Sequence, residues 1–341
     1  MLRRAVVPLA IACAGTLAAS GLGFAAEPAS IVPAATDARA WLLRIHEAAS
    51  RKSYTGTFVV TGGGSVASAR IAHYAEGPNL SERIESLDGK RRNVYRHNDV
   101  VQTVWPGAQV AMVEQRGTLG SFPALLQAGS DGIGEWYELR LEGVERMAGH
   151  EAHVLSVKAR DAHRYGYRLW AERASGLLLR VDVIGERGEV LETSAFSDVA
   201  IGVRPQSADI VAAMRVQPGW RVVRPQLVPT RLELQGWNLK AAAPGFRQVS
   251  CVSRRMEGAG DAGPSAEAPA VLQSIYSDGL TYVSVFIEPF RAERHGQPAL
   301  SALGATLSLA ERQGDSWITV VGDAPLATLK LFAGGLERRR P

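Results

Sequence analysis

The chain has 341 residues, 46% of them hydrophobic and 21% charged, with a formal net charge of only +4. This is the composition of a folded soluble protein with one large domain or two modest ones. So small a charge surplus is no strong basic bias.

Arg3 and Arg4 precede an apolar, small-residue run from Ala5 to Leu22, and Gly23-Phe24-Ala25 places small residues where a signal peptidase reads them. Residues 1–25 are therefore expected to be a secretory signal cut after Ala25, so that the mature chain is exported. The run is too rich in alanine for a membrane anchor. Ala10 stands where a lipoprotein site before Cys13 prefers a bulkier aliphatic residue. Export argues against nucleic acid as a partner. Lys90-Arg91-Arg92 and Arg338-Arg339-Arg340 read as a solvated turn and a terminus. Cys251 is the one cysteine of the mature chain, so no internal disulfide supports the fold. Its alternating surroundings predict a buried, inert thiol.

After a small-residue, proline-containing lead-in, Asp37 to Ser50 reads as an amphipathic helix. Asp37 is its expected cap, and Ala38, Trp41, Leu42, Ile45 and Ala48 form its apolar stripe. Tyr54 to Thr61 alternates as a strand with Tyr54, Gly56, Phe58 and Val60 on one face, and three glycines turn it into a second strand ending near Tyr74. Leu80–Leu87 and Arg92–Arg96 form a hairpin through Asp88-Gly89, and two more strands follow around Val100–Trp105 and Gln109–Glu114. Between Gln115 and Gly134 the alternation stops in a glycine-rich insert carrying Phe122, Leu125 and Leu126. It is either a flap over an apolar sheet face or a plug in the core.

Glu151 to Phe196 reads as four strands of an antiparallel meander with one apolar and one mixed face. Leu177, Leu179, Val181 and Val183 are expected on the apolar face, with Arg180 and Asp182 opposite. A face of that size must be covered by something. Asp209–Met214 reads as a short helix, and the proline-rich stretch 215–227 as a linker. The expected domains are thus 26–214 and 228–341.

In the second, Pro244-Gly245-Phe246 is a turn that presents an aromatic, and Arg247–Ser253 a strand. Met256–Pro269 is a low-complexity loop. Val271–Tyr276 and Leu280–Ile287 form a hairpin across Ser277-Asp278-Gly279, and Ser316–Val321 is a further strand. Asp323 is expected to cap a terminal helix with Pro325 in its first turn and Leu329, Phe332 and Leu336 buried.

No nucleophile elbow, phosphate loop, dinucleotide fingerprint or zinc-protease motif occurs. His150 and His153 fall on opposite faces of a strand, and Glu172, Asp182 and Glu192 show no partner base. No catalytic, metal or cofactor residue is expected. The notable resource is aromatic: Trp41, Tyr54, Phe58, Trp105, Phe122, Trp136, Tyr165 and Trp170 either build the core or line an acyl-chain pocket.

Several blocks together resemble the RseB/MucB family of periplasmic sigma-E regulatory proteins. They are Asp88-Gly89-Lys90-Arg91-Arg92, Ala159-Arg160-Asp161 with Arg164-Tyr165, and Arg180-Val181-Asp182 leading into Gly188-Glu189 and Leu191-Glu192. Pro244-Gly245-Phe246 with Ser253-Arg254-Arg255 and Tyr276-Ser277-Asp278-Gly279-Leu280 complete the set. Their order and spacing match along nearly the whole mature chain. The long Met256–Pro269 loop and Lys240-Ala241-Ala242-Ala243 depart from the family pattern.

The resemblance implies an α+β protein of two domains. The larger is a curved, unclosed antiparallel half-barrel similar to the lipoprotein carriers LolA and LolB, with covering helices. The small α+β domain holds the periplasmic segment of a membrane-bound anti-sigma factor and shields it from proteolysis. Lipid, lipopolysaccharide or lipoprotein acyl chains release it. Candidates for the lipid pocket are Trp41, Leu42, Tyr54, Phe58, Trp105, Phe122, Leu125, Leu126, Trp136, Tyr165 and Tyr167. Candidates for the anti-sigma surface are Trp237, Phe246, Arg254, Arg255, Tyr276, Asp278, Leu280 and Tyr282, because aromatics and arginines dominate binding hot spots. The alternative reading is a periplasmic lipid or lipoprotein carrier, which would have no use for the second domain. Self-association into a homo-oligomer stays open.

Overall fold

The computed structural model describes residues 34–115, 132–255 and 270–339. The expected signal, the insert residues Phe122, Leu125 and Leu126, and the 256–269 loop lie outside the described residues. Helix α1 spans Ala34–Arg51. It starts on two alanines, strong helix formers, so Asp37 falls within the helix and not at its cap position. Ala38, Leu42 and Ile45 are buried, as the stripe predicts.

The first half of the large sheet is β1 (Tyr54–Gly62), β2 (Ser65–Glu76), β3 (Asn79–Ser86), β4 (Asn93–His97), β5 (Val100–Trp105) and β6 (Val110–Gln115). Short turns join neighbours, so each strand pairs antiparallel with the next. Gly63 and Gly64 both take positive φ in the β1–β2 turn. A single helical turn, α2 (Ile133–Trp136), leads into β7 (Tyr137–Met147), β8 (His150–Ala159), β9 (Gly166–Glu172), β10 (Leu178–Ile184) and β11 (Val190–Ile201). β11 returns along β1, from Tyr54↔Ile201 to Gly62↔Glu192, and fuses the halves. Helix α3 (Ser207–Ala213) follows, and β12 (Arg221–Val223) adds parallel to β6. The order β12-β6-β5-β4-β3-β2-β1-β11-β10-β9-β8-β7 makes an open twelve-stranded sheet.

The four strands expected over 151–196 are present as β8 to β11, but the meander differs from expectation in two ways. A fifth strand, β7, precedes them. A bulge between Leu141 and Gly143 breaks the alternation of β7 and hid it. A second bulge, between Leu178 and Arg180, sends Leu177 and Leu179 to one face and Leu178, Val181 and Val183 to the other. Both faces therefore carry a core. One gathers α1, Leu155, Val157, Tyr167, Leu169, Val181 and Val183. The other gathers Tyr54, Ile71, Val154, Trp170, Leu179 and Phe196.

The second sheet is built from β13 (Gln226–Pro229), β15 (Arg247–Arg255), β16 (Ala270–Ser277), β17 (Tyr282–Pro289), β18 (Ala299–Leu303), β19 (Thr306–Gln313) and β20 (Ser316–Gly322). β14 (Trp237–Leu239) and β21 (Leu336–Arg338) form a separate ribbon. The order β13-β15-β16-β17-β20-β19-β18 is seven strands wide. Helix α4 (Leu326–Gly335) lays Leu329 and Phe332 on it, and Leu336 just beyond is also buried. Pro325, not Asp323, stands at the helix N-cap. Asp323 instead accepts the Thr306 hydroxyl through its carboxylate and the Thr281 hydroxyl through its carbonyl. The two sheets belong to one compact unit, Pro33–Pro341.

Candidate functional site

Where the two lobes meet, the turn between β8 and β9 carries Arg164 into the seam. Its side chain is completely buried, as is that of Asp278 in the β16–β17 turn. Nε donates to Asp161 Oδ1 at 2.9 Å, Nη1 to Asp278 Oδ2 at 2.9 Å, and Nη2 to the Pro244 carbonyl. The guanidinium also lies 4.8 Å from the Trp136 ring, 5.6 Å from Tyr137 and 5.4 Å from Phe246. Asp278 Oδ2 accepts a second bond from the Tyr137 hydroxyl at 2.8 Å. Its Oδ1 accepts the backbone N–H groups of Leu280 and Thr281, each at 3.0 Å. Burial, then the neighbouring Asp278 charge, pushes the Tyr137 phenol far up, so it stays a donor. A buried ion pair survives only when its remaining donors and acceptors are met, and here each guanidinium nitrogen and each Asp278 carboxylate oxygen has a partner.

Leu280 leaves its own lobe and joins the large-sheet core beside Tyr137 and Tyr167. Thr328 of α4 donates to the His163 carbonyl at 2.8 Å. Gly245 has φ +82°, and a Cβ there would sit 2.5 Å from the Trp136 ring, so the Pro244-Gly245-Phe246 turn presses bare backbone on the indole. Phe246 turns inward, 5.7 Å from Phe332.

The seam continues at two further points. Glu192 Oε2 accepts the Ala305 N–H at 3.3 Å, and burial raises the Glu192 pKa. Arg254 Nη2 reaches Glu114 Oε1 at 3.0 Å, with the glutamate almost fully enclosed. Arg254, expected on a partner surface, thus ties β15 to β6.

The structure distributes the lipid-pocket candidates over different places. Leu42, Tyr165 and Tyr167 are buried in the first core, with Trp41 and Trp136 packed on it. Trp41 packs against His153, their ring centres 4.3 Å apart and their planes tilted by 40°. Tyr54 is buried in the core on the opposite sheet face, with Phe58 packed against it. Trp105 is half-buried at the end of β5. Burial raises Tyr165 to about 12, so it remains a neutral phenol. One cleft of about 480 Å³ opens beside the β8–β9 turn. Of these candidates Tyr167 alone lines it, among charged neighbours such as Lys158, Arg160 and Glu186.

Among the anti-sigma candidates, Trp237, Phe246 and Tyr276 are buried in the small-lobe core. Asp278 and Leu280 are buried in the seam, and Tyr282 is half-buried on β17. Arg255 pairs through its backbone with Gln226 and Ala270. His150 and His153 face apart: His150 meets the Val199 carbonyl while His153 packs at a tilt against Trp41. Cys251 is a free, half-buried thiol whose pKa burial raises, which blunts its reactivity. Sequence reasoning did not reach Arg164, Tyr137, Glu114 and Thr328 as seam residues. The available signal was the pairing of two of the resemblance blocks, Asp161–Arg164 with Tyr276–Leu280.

The family model for the MucB/RseB N-terminal domain matches residues 37–214, and that for the MucB/RseB C-terminal domain matches residues 231–337. The chain belongs to the MucB/RseB family. It is 34% identical over 309 residues to the sigma factor AlgU regulatory protein MucB of Pseudomonas aeruginosa, covering 89% of this chain and 92% of that one. It is 26% identical over 323 residues to the sigma-E factor regulatory protein RseB of Escherichia coli, covering 94% and 96%. The crystal structure of MucB in complex with MucA(peri) superposes with a TM-score of 0.66 at 29% identity, covering 89% of this chain and all of that one. In this member of the MucB/RseB family, then, the ion pair Arg164–Asp278 sits between the parts matched by the two domain models. Among the described residues, no helix is long and apolar enough to cross a membrane, and no group of three or more potential metal ligands gathers.

Proposed function

We propose that this chain is a periplasmic negative regulator of a sigma-E-type envelope-stress response. It binds the periplasmic segment of a membrane anti-sigma factor and shields it from proteolysis until lipid, lipopolysaccharide or lipoprotein acyl chains release it. The observation that carries this reading is family membership over both domains, together with the complex of the relative MucB with MucA(peri). In this reading residues 26–214 sense the signal, 215–227 connect, and 228–341 grip the segment. The chain does no chemistry of its own.

Release follows from linkage. If the acyl-bound form holds the segment less tightly, each ligand weakens the other by the same coupling free energy, typically about 1–3 kcal/mol. Acyl burial supplies the lipid side at roughly 0.8 kcal/mol per methylene. The seam is the physical route, because Leu280 and Asp278 share their packing with Tyr137 and Tyr167 of the sensing lobe. A ligand that displaces one of these rings disturbs the turn from which β17 starts.

The test is capture of the periplasmic segment of a membrane anti-sigma factor from the same organism. Saturable binding in the micromolar range or tighter, weakened by added acylated ligand, is expected. No capture, with retained lipid found after purification, supports the carrier reading instead.

A further inference from the structure

Three carboxylates enter the seam between the lobes. Asp278 is paired with Arg164 at 2.9 Å, and Glu114 with Arg254 at 3.0 Å. The third, Glu192 of β11, has no cation beside it among the described residues. Its side chain accepts one hydrogen bond there, the 3.3 Å bond from the Ala305 N–H. An ionised carboxylate offers about four acceptor sites, and away from water each unmet site costs free energy. One long bond leaves most of them unmet, so this place suits a neutral carboxylic acid better than a carboxylate.

The contact is also closely built. A Cβ on Gly62 would lie 2.8 Å from the Gly304 Cα, and one on Gly63 2.9 Å from the Gly304 nitrogen. The β1–β2 turn of the large lobe and the β18–β19 turn of the small lobe therefore meet backbone on backbone. Glu192 Oε2 fills the space where a Gly304 side chain would start. Ala305 is buried in the large-sheet core, with Leu191 packed on the same cluster. Asp323, in the turn before α4, faces both Glu192 and Tyr165, and Glu186 and Glu189 of the β10–β11 turn face Tyr165 as well. Arg187, in that same turn, pairs with Glu189 at 3.6 Å. Neither the two glycine turns nor Val183, which pairs with Glu192 on β10, brings a charge. Burial raises the Glu192 pKa, the Ala305 N–H opposes that, and the Asp323 charge adds to it.

We propose that Glu192 is an acid-operated latch between the lobes: a proton taken up from solvent onto its carboxyl tightens the Glu192–Ala305 contact, and loss of that proton loosens it. The unlatched state is a local opening in which the two turns part and water reaches the carboxylate. The preference for the closed contact is full below the ordinary glutamate value, falls as pH rises through the window above it, and is gone above the raised value. Arg164–Asp278 and Arg254–Glu114 hold the lobes together throughout, so the latch sets only how firmly this end of the seam is held. The device needs the two lobes alone and does not depend on what either of them binds.

Hydrogen exchange at the Ala305 amide of the mature chain, corrected for its intrinsic pH dependence, tests the latch. Protection should rise at least about threefold between neutral pH and about pH 5, within the roughly tenfold that one pKa unit allows. Glu192→Gln keeps an acceptor but cannot ionise. Its Ala305 protection should be as high at neutral pH as the parent's in acid, and flat with pH. Asp323→Asn removes the facing like charge and should raise the neutral-pH protection. The Leu280 amide, held by Asp278 at the other contact, should be the same in the parent and in Glu192→Gln, as a folded variant requires. Ala305 protection in the parent that is flat or falls in acid overturns the proposal. So does an unchanged pH dependence in Glu192→Gln, or a neutral-pH protection that Asp323→Asn lowers.

Discussion

Asp278→Asn separates the charge of the seam from its shape. The amide keeps an oxygen for the Leu280 and Thr281 N–H groups, now at 3.0 Å from Asp278 Oδ1. It places an NH2 where Oδ2 accepts from both Arg164 and Tyr137. Arg164 then keeps one carboxylate, Asp161, whose side chain is 26% exposed and a weaker counter-charge. Removing one member of a buried pair costs about 3–5 kcal/mol. Because the turn itself survives, the low end applies, about 3 kcal/mol. For a protein of this size that lowers Tm by roughly 4–6 °C. Urea titration and thermal melts of the mature chain measure it. Combining Asp278→Asn with Arg164→Met removes the stranded charge, so the double variant should lose less than the sum of the singles by at least about 1 kcal/mol. Arg187→Ala, at an exposed pair with Glu189, should stay within about 0.5 kcal/mol. A loss under about 1 kcal/mol for Asp278→Asn, with strictly additive singles, would refute the locked seam.

Gly245→Ala drives a methyl into the Trp136 ring and strains a left-handed residue, so it should lose about 2–5 kcal/mol in a thermal melt. Gly188→Ala, with φ +83° and open space around it, should lose only about 1–2 kcal/mol, and equal losses would contradict the close packing at Gly245. Burial raises the Glu192 pKa, so the folded protein prefers the protonated acid and the ionised form costs stability. That cost is full above the raised pKa and vanishes below the ordinary glutamate value. Glu192→Gln should therefore be at least as stable as the parent at neutral pH, with the gap closing on acidification; a gap that widens in acid would count against this. Arg254→Met leaves Glu114 enclosed without its cation and should cost about 3 kcal/mol in urea, whereas the paired change with Glu114→Leu should recover much of it.

Most strands and turns were legible because they rest on local signals. Asp88-Gly89 and Ser277-Asp278-Gly279 make the turns their residues predict, with Gly89 and Gly279 at positive φ. Leu329, Phe332 and Leu336 are buried at the terminal helix as expected. β7 was hidden by a bulge, and β18 by its lack of any buried face. The caps were misplaced because an aspartate near a helix start is only one of several claimants: Asp323 found better partners in two threonines. The seam was illegible for a different reason. Arg164 and Asp278 are 114 residues apart, and neither neighbourhood shows that its charge will be enclosed. The aromatic candidates Trp237, Phe246 and Tyr276 illustrate the same limit, since a core ring and a hot-spot ring look alike in sequence.

The regulatory role is tested most directly by fluorescence anisotropy of a labelled anti-sigma periplasmic segment titrated with the mature chain, with and without an acylated lipid. Tight binding that weakens about 5–150-fold when lipid is present is the expected result. Binding of unchanged affinity at saturating lipid, or none at all, would contradict a lipid-released grip on that segment.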